Sequence, residues 1–143
     1  MNEASPPADD RADDRADDRE TAYELLQRGQ ALIRRRHHAQ AAVVLERAAR
    51  TEPGKGSILE PLGRAYHLSR QYELARETFE RLLDVDPSAH WAHFALAASL
   101  RKLDRLAEAR THLRLAVALS PGSELYRRAL AAVEAATRSS DAA

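Results

Sequence analysis

Three prolines spaced 34 residues apart, Pro53, Pro87 and Pro121, constrain this chain more than any other feature. The same step relates Ala41, Ala75 and Ala109, then Leu45, Phe79 and Leu113, then Leu32, Tyr66 and Leu100, with Gly29, Gly63 and Ala97 as a column of small residues. A fixed period of this length, filled with helix-forming residues between the prolines, identifies stacked helical hairpins that cannot bury their apolar faces singly. The clearest copy runs from Leu59 to Pro87.

Local signals place the helices. Only five Gly and six Pro occur in 143 residues, and Val and Ile are scarce, so no sheet is expected. Thr21 with Glu24 forms a capping box that opens a first helix, which runs to a turn at residues 34 to 38. A second helix follows from about Ala39 to Thr51, with Ala41, Val44, Leu45 and Ala48 on one face. Pro53, Gly54 and Gly56 break it. Ser57 with Glu60 repeats the capping-box pattern before a helix from about Ile58 to Ser69, with Pro61 in its first turn, and a partner helix spans about Tyr72 to Leu83. Ser88 caps the next helix, through Leu103; Leu106 to Leu119 is its partner; and Ser123 caps a last helix from Glu124 to about Thr137.

These signals divide the chain into an acidic segment at 1–20, a helical domain at 21–138 and a polar tail at 139–143 that is expected to be disordered. The domain comprises repeats at about 22–55, 56–89 and 90–123 and a terminal helix at 124–137. Residues 1–20 contain Ala-Asp-Asp-Arg three times in tandem and carry eight acids against three bases. With no apolar side chain larger than Ala in those tandem copies, the segment is expected to be disordered. The net charge of the whole chain is zero, so the remainder carries a matching excess of base. The absence of Cys excludes disulfides and thiolate chemistry, and the lack of a secretory or membrane-spanning apolar run predicts a cytoplasmic protein.

The columns resemble the tetratricopeptide repeat, in which a small residue lets the two helices of a hairpin approach, a bulky one locks them and a proline ends the second helix. The resemblance covers residues 21 to about 122 and fits best from Leu59, Leu62, Gly63 and Tyr66 through Ala75 to Pro87. Arg28 departs from it where Leu62 and Leu96 stand in the other copies, as does His93 in the place of Leu25 and Leu59. The fold it implies is all-α: a right-handed α-solenoid of three tandem 34-residue helix-turn-helix repeats plus a C-terminal capping helix.

The resemblance also implies a function: an interaction scaffold whose first helices line a concave groove holding a segment of a partner protein. Carried over by phase, the groove would present Tyr23, Leu26, Gln30 and Arg34, with Ile33 beside them, from the first copy. The second would add Arg64, His67, Ser57, Glu60 and Leu68; the third Trp91, Phe94, Arg101, Lys102 and Ala98; and the last helix Leu125 and Arg128. This set is basic with apolar anchors, so an acidic peptide with a few apolar side chains is the complementary partner. The carboxylate clamp of chaperone cofactors, built on Lys and Asn at fixed groove positions, does not match. The alternative is a structural, self-associating solenoid or an accessory subunit of a larger complex; a monomer is expected over a homo-oligomer. Neither a catalytic constellation nor a phosphate loop is present, so the chain reads as a non-enzyme without a cofactor. His37 with His38, and His90 with His93, lack an evident third ligand, so no metal is expected, nor nucleic acid on one short basic cluster.

Overall fold

In the computed structural model, residues 20–142 are described, and they form seven helices: α1 (Ala22–Arg34), α2 (His38–Thr51), α3 (Gly56–Leu68), α4 (Tyr72–Val85), α5 (His90–Lys102), α6 (Leu106–Leu119) and α7 (Glu124–Ala142). The expectations for residues 1–19 and for Ala143 lie outside the described residues. Each helix packs mainly on its neighbours in sequence, and α1 touches α3 as α3 touches α5. The result is a right-handed α-solenoid of three hairpins closed by α7. Among the described residues no helix is long and apolar enough to cross a membrane.

The repeated columns are the core. Ala41, Ala75 and Ala109 are fully buried, and Leu45, Phe79 and Leu113 fill the space between the two helices of each hairpin. Gly29 and Gly63 allow that approach: a Cβ on Gly29 would lie 2.5 Å from Leu45 Cδ2, and one on Gly63 would lie 2.6 Å from Phe79 Cε1. Arg28, which stands where the other copies have Leu, faces water among the described residues. Leu62 and Leu96 are buried against a preceding repeat, while Arg28 is exposed and pairs with Glu20.

The three turns inside the hairpins are built alike without glycine. Arg36, Arg70 and Asp104, each 34 residues after the last, adopt left-handed backbone with φ of 63°, 65° and 59°. In each, the following amide reaches back to the third-last helical carbonyl: His37 N–H to Leu32 O at 2.8 Å, Gln71 to Tyr66 at 2.8 Å and Arg105 to Leu100 at 2.9 Å. This closure satisfies carbonyls that the helix end would otherwise leave open. A side chain at such a φ is strained where glycine is not. Arg70→Gly is therefore expected to raise stability by about 0.5–1 kcal/mol, seen as a higher thermal midpoint; an unchanged or lower midpoint counts against the strain.

Several helix starts differ from the sequence expectation. Thr21 and Glu24 do form the reciprocal capping box, and Ser123 Oγ accepts from Tyr126 N–H at 3.2 Å. Ser57, however, lies inside α3, which begins at Gly56 after Lys55 and has no side-chain cap, so Pro61 sits beyond the first turn, buried in the helix. Ser88 caps nothing either. Its amide and hydroxyl both donate to Asp86 Oδ1, at 3.2 and 2.7 Å, and α5 begins after Ala89. The last helix continues to Ala142, past the end expected at 137 and through most of the segment read as a polar tail. The extension has a packing partner, since Thr137, Ser140 and Asp141 line a cleft with the start of α6.

Candidate functional site

The first helices α1, α3, α5 and α7 lie side by side, and the repeat phase sets their inward residues in columns. Tyr23, Ser57, Trp91 and Leu125 form one column and all are exposed, the aromatic and aliphatic members by 69%, 37% and 59% for Tyr23, Trp91 and Leu125. Large apolar side chains thus stand in water along this column. Of the other residues predicted from sequence, Arg34, Arg64, Arg101 and Lys102 are exposed, while Leu26, Gln30, His67 and Phe94 are half-buried.

Two of these are engaged inside the stack. His67 Nδ1 lies 3.0 Å from Ser99 Oγ, tying α3 to α5, and burial together with the nearby Lys102 charge lowers its pKa. Phe94 stacks at 5.2 Å, tilted by 31°, against Tyr126 of α7. The Tyr126 hydroxyl in turn meets His90 Nδ1 at 2.7 Å, and burial raises its pKa. Leu26 packs against the core. Arg64 stands 3.5 Å from Glu60, and Arg128 bonds Glu124 at 2.6 Å, each pair one helical turn apart and exposed. Such pairs contribute on the order of 0.5 kcal/mol and exchange readily for a ligand carboxylate.

What the geometry brings together is a cleft of about 300 Å³ between α5 and α7. Ala97, Ala98, Ala129 and the buried Leu113 form its apolar lining, Phe94 and Leu125 its sides, and the exposed Arg101 and Arg128 complete it. Three alanines on adjacent helices leave the space that longer side chains would fill. Sequence reasoning missed Tyr126 and Ser99. The signals were Tyr126 in the column of Ile58 and Ala92, and Ser99 in that of Ala31 and Ala65: an unusually large residue and a polar one at core positions.

A larger cleft of about 480 Å³ lies on the second-helix side, between α2, α3 and α4. Its walls alternate in sign, with Glu46, Glu77, Arg50 and Arg81, and the Tyr66 phenol donates to Glu46 within it. Burial and that carboxylate push the phenol pKa upward, so the hydroxyl stays a donor. The smaller cleft differs from it in carrying one sign of charge beside an apolar lining.

The histidines are placed differently from the metal reading considered for His90 and His93. His90 is bonded to Tyr126, and the buried His93 lies between Pro87 O, at 3.0 Å from Nε2, and His112 Nδ1, at 3.0 Å from Nδ1. Among the described residues no three His, Asp or Glu converge on a metal position.

Residues 62–124 match the family model for the tetratricopeptide repeat. No curated protein sequence matches the chain significantly. Among solved structures, the first tetratricopeptide repeat domain of Spaghetti (RPAP3), bound to the HSP90 peptide SRMEEVD, aligns with a TM-score of 0.78 at 16% identity, over 82% of this chain and 94% of that one. The Sgt2 tetratricopeptide repeat domain from Aspergillus fumigatus aligns with a TM-score of 0.77 at 20% identity, over 85% and 82%. The Yersinia enterocolitica type III secretion chaperone SycD, in complex with a peptide of the translocator YopD, aligns with a TM-score of 0.73 at 19% identity, over 80% and 93%. Residues 62–124, from the middle of α3 to the start of α7, thus match the tetratricopeptide repeat by sequence, and the described solenoid shares the fold of these domains.

Proposed function

We propose that the chain is a protein-interaction adaptor that holds an acidic segment of a partner along its first helices, with one apolar side chain of that segment in the α5–α7 cleft. The observation that carries this reading is the cleft itself: an apolar lining of alanines and Leu113, with Arg101 and Arg128 beside it and Trp91 exposed on the same helix face. An inserted aliphatic or aromatic side chain would bury its surface there at about 25 cal/mol per Å². The flanking acids would pair with the guanidiniums and fix register and direction. The peptide-bound structures of RPAP3 and SycD give the reading a precedent in the fold, and the RPAP3 peptide SRMEEVD is itself acidic with an apolar Met.

Selection from a random peptide library displayed against the full chain tests this. The expected consensus is an apolar residue flanked by Asp or Glu, and Arg101→Glu is expected to weaken a selected peptide by at least about tenfold, the loss of one desolvated charge pair. Arg101 is exposed and makes no ion pair among the described residues, so the substitution leaves the fold intact. A library that yields no consensus, or a peptide indifferent to Arg101→Glu, would remove the cleft from the site.

A further inference from the structure

Among the described residues, six of the cations without an acidic partner stand together at the turns inside the hairpins, while Arg47, Arg50, Arg81, Arg110, Arg127 and Arg138 are spread over the helices. Arg34, Arg35 and Arg36 stand at the α1–α2 turn, Arg70 at the α3–α4 turn, and Arg101 and Lys102 at the α5–α6 turn; all are exposed. None of the six makes an ion pair among the described residues, whereas Arg28, Arg64, Arg76, Arg105 and Arg128 all do. Because the turns recur every 34 residues, these side chains form three rungs, on the order of 10 Å apart at ordinary helix-packing distances. Of the acids near this edge, Glu73 and Glu108 are held by Arg105, and only Asp104 remains within the turns. The opposite edge, where hairpins join, carries Glu52, Asp84, Asp86 and Glu124, with Glu52 paired to Lys55 and Glu124 to Arg128. A row of like charges with no internal counter-charge attracts a polyanion over a Debye length.

We propose that this edge is a docking ledge for acidic polypeptide and that the chain's own residues 8–19 occupy it. The segment is complementary in charge, with paired acids Asp9–Asp10, Asp13–Asp14 and Asp17–Asp18 recurring every four residues. Its acid excess equals the base excess of the rest of the chain, so the neutral molecule holds both partners of the interaction. It is also within reach. Thr21 is extended, with φ −67° and ψ 158°, so the chain leaves the α1 axis at that point. The 13 residues of α1 span about 20 Å, and seven extended residues reach about 24 Å. Asp13 and Asp14 therefore reach Arg34, Arg35 and Arg36, and Asp9 and Asp10 reach Arg70 one rung on. Each exposed pair is worth under about 1 kcal/mol, so the contact is reversible and salt-sensitive, and tethering at millimolar effective concentration makes it intramolecular. An acidic partner seeking Arg34, Arg101 or Lys102 would compete with it. Arg101 belongs to both this edge and the α5–α7 cleft, whereas Arg34, Arg35, Arg36, Arg70 and Lys102 lie outside the cleft, so variants at Arg70 and Lys102 test the ledge separately from the cleft.

The chain has no Cys, so Ala4→Cys in the full chain gives a single site for a spin label. Amide NMR intensities are compared at about 0.01 M and about 1 M salt, where the Debye length is about 30 Å and about 3 Å. The expected result is selective loss of intensity at the 34–36, 70 and 101–102 turns at low salt, with recovery at high salt. The loss should also disappear when the six Asp of 9–18 become Asn, or in the Arg70→Glu, Lys102→Glu double variant. Loss confined to the first turn of α1, loss spread over both edges, or persistence at high salt would overturn the proposal. So would loss that weakens on dilution, which would assign the contact to a second copy.

Discussion

Phe79→Ala is expected to lower the stability of the chain by about 3–5 kcal/mol, the range for removing a buried aromatic ring without refilling the space. The ring is among the largest fully buried side chains, and it lies against the Gly63 backbone so closely that no Cβ fits between them. Its hairpin is the middle one, packed on both sides, so the loss weakens two repeat interfaces along with the α3–α4 contact. With total stabilities of about 5–15 kcal/mol for small domains, urea unfolding should show the midpoint collapse toward zero denaturant. The reciprocal change is milder. Gly63→Ala gains up to about 1 kcal/mol of helix propensity but drives its methyl into the ring, and overpacking costs about 1–3 kcal/mol. Phe79→Leu in the Gly63→Ala background recreates the Ala97–Leu113 pair of the third hairpin and should recover part of that loss, a coupling that a double-mutant cycle reads directly. Additive effects, or a Phe79→Ala protein unfolding near the parent midpoint, would show that the ring does not lock the hairpin.

That much was legible from the columns, because burial in a solenoid repeats with the sequence. The 34-residue step assigned the core residues, and the second helix of the third hairpin was bounded correctly at Leu106 and Leu119. What the step could not show were contacts that break the repeat. Ser57 and Ser88 carry the residue type of an N-cap, but the chain enters α3 and α5 one or two residues away from them, and Asp86 captures Ser88. The left-handed turns at Arg36, Arg70 and Asp104 lacked the glycine that normally signals them. Of the site, the exposed column of Tyr23, Trp91 and Leu125 follows from phase alone. The partial burial of Phe94 by Tyr126 and of His67 beside Ser99 does not, since each depends on one unusual residue of the next first helix.

The same break in the repeat predicts an acid sensitivity. His93 occupies the column of Leu25 and Leu59, is only 6% exposed, and stacks on His112 with ring centroids 5.3 Å apart. Its Nε2–H donates to Pro87 O, leaving a bare Nδ1 to accept from His112 Nδ1–H. His93 Nδ1 is thereby fixed as the acceptor and His112 Nδ1–H as the donor across 3.0 Å. Around His112, burial and His93 lower the pKa, and Glu80 of α4 and Glu108 of α6 only partly oppose them; His67 is lowered as well. A histidine whose folded pKa lies below its ordinary value of about 6.5 takes up protons more readily when unfolded, so its stabilisation is complete above that pH and is lost as pH falls below it. Urea unfolding at about pH 7.5 and about pH 5.5, on either side of that value, should show the parent losing on the order of 1 kcal/mol or more, one buried hydrogen bond. His93→Leu restores the apolar column and leaves the half-buried His112 its access to water. Its stability should vary less between the two pH values, with the remaining slope owed to the burial of His112 and of His67. Parallel losses in the parent and in His93→Leu would mean that the acid response arises elsewhere and that the pair is only a packing contact between α5 and α6.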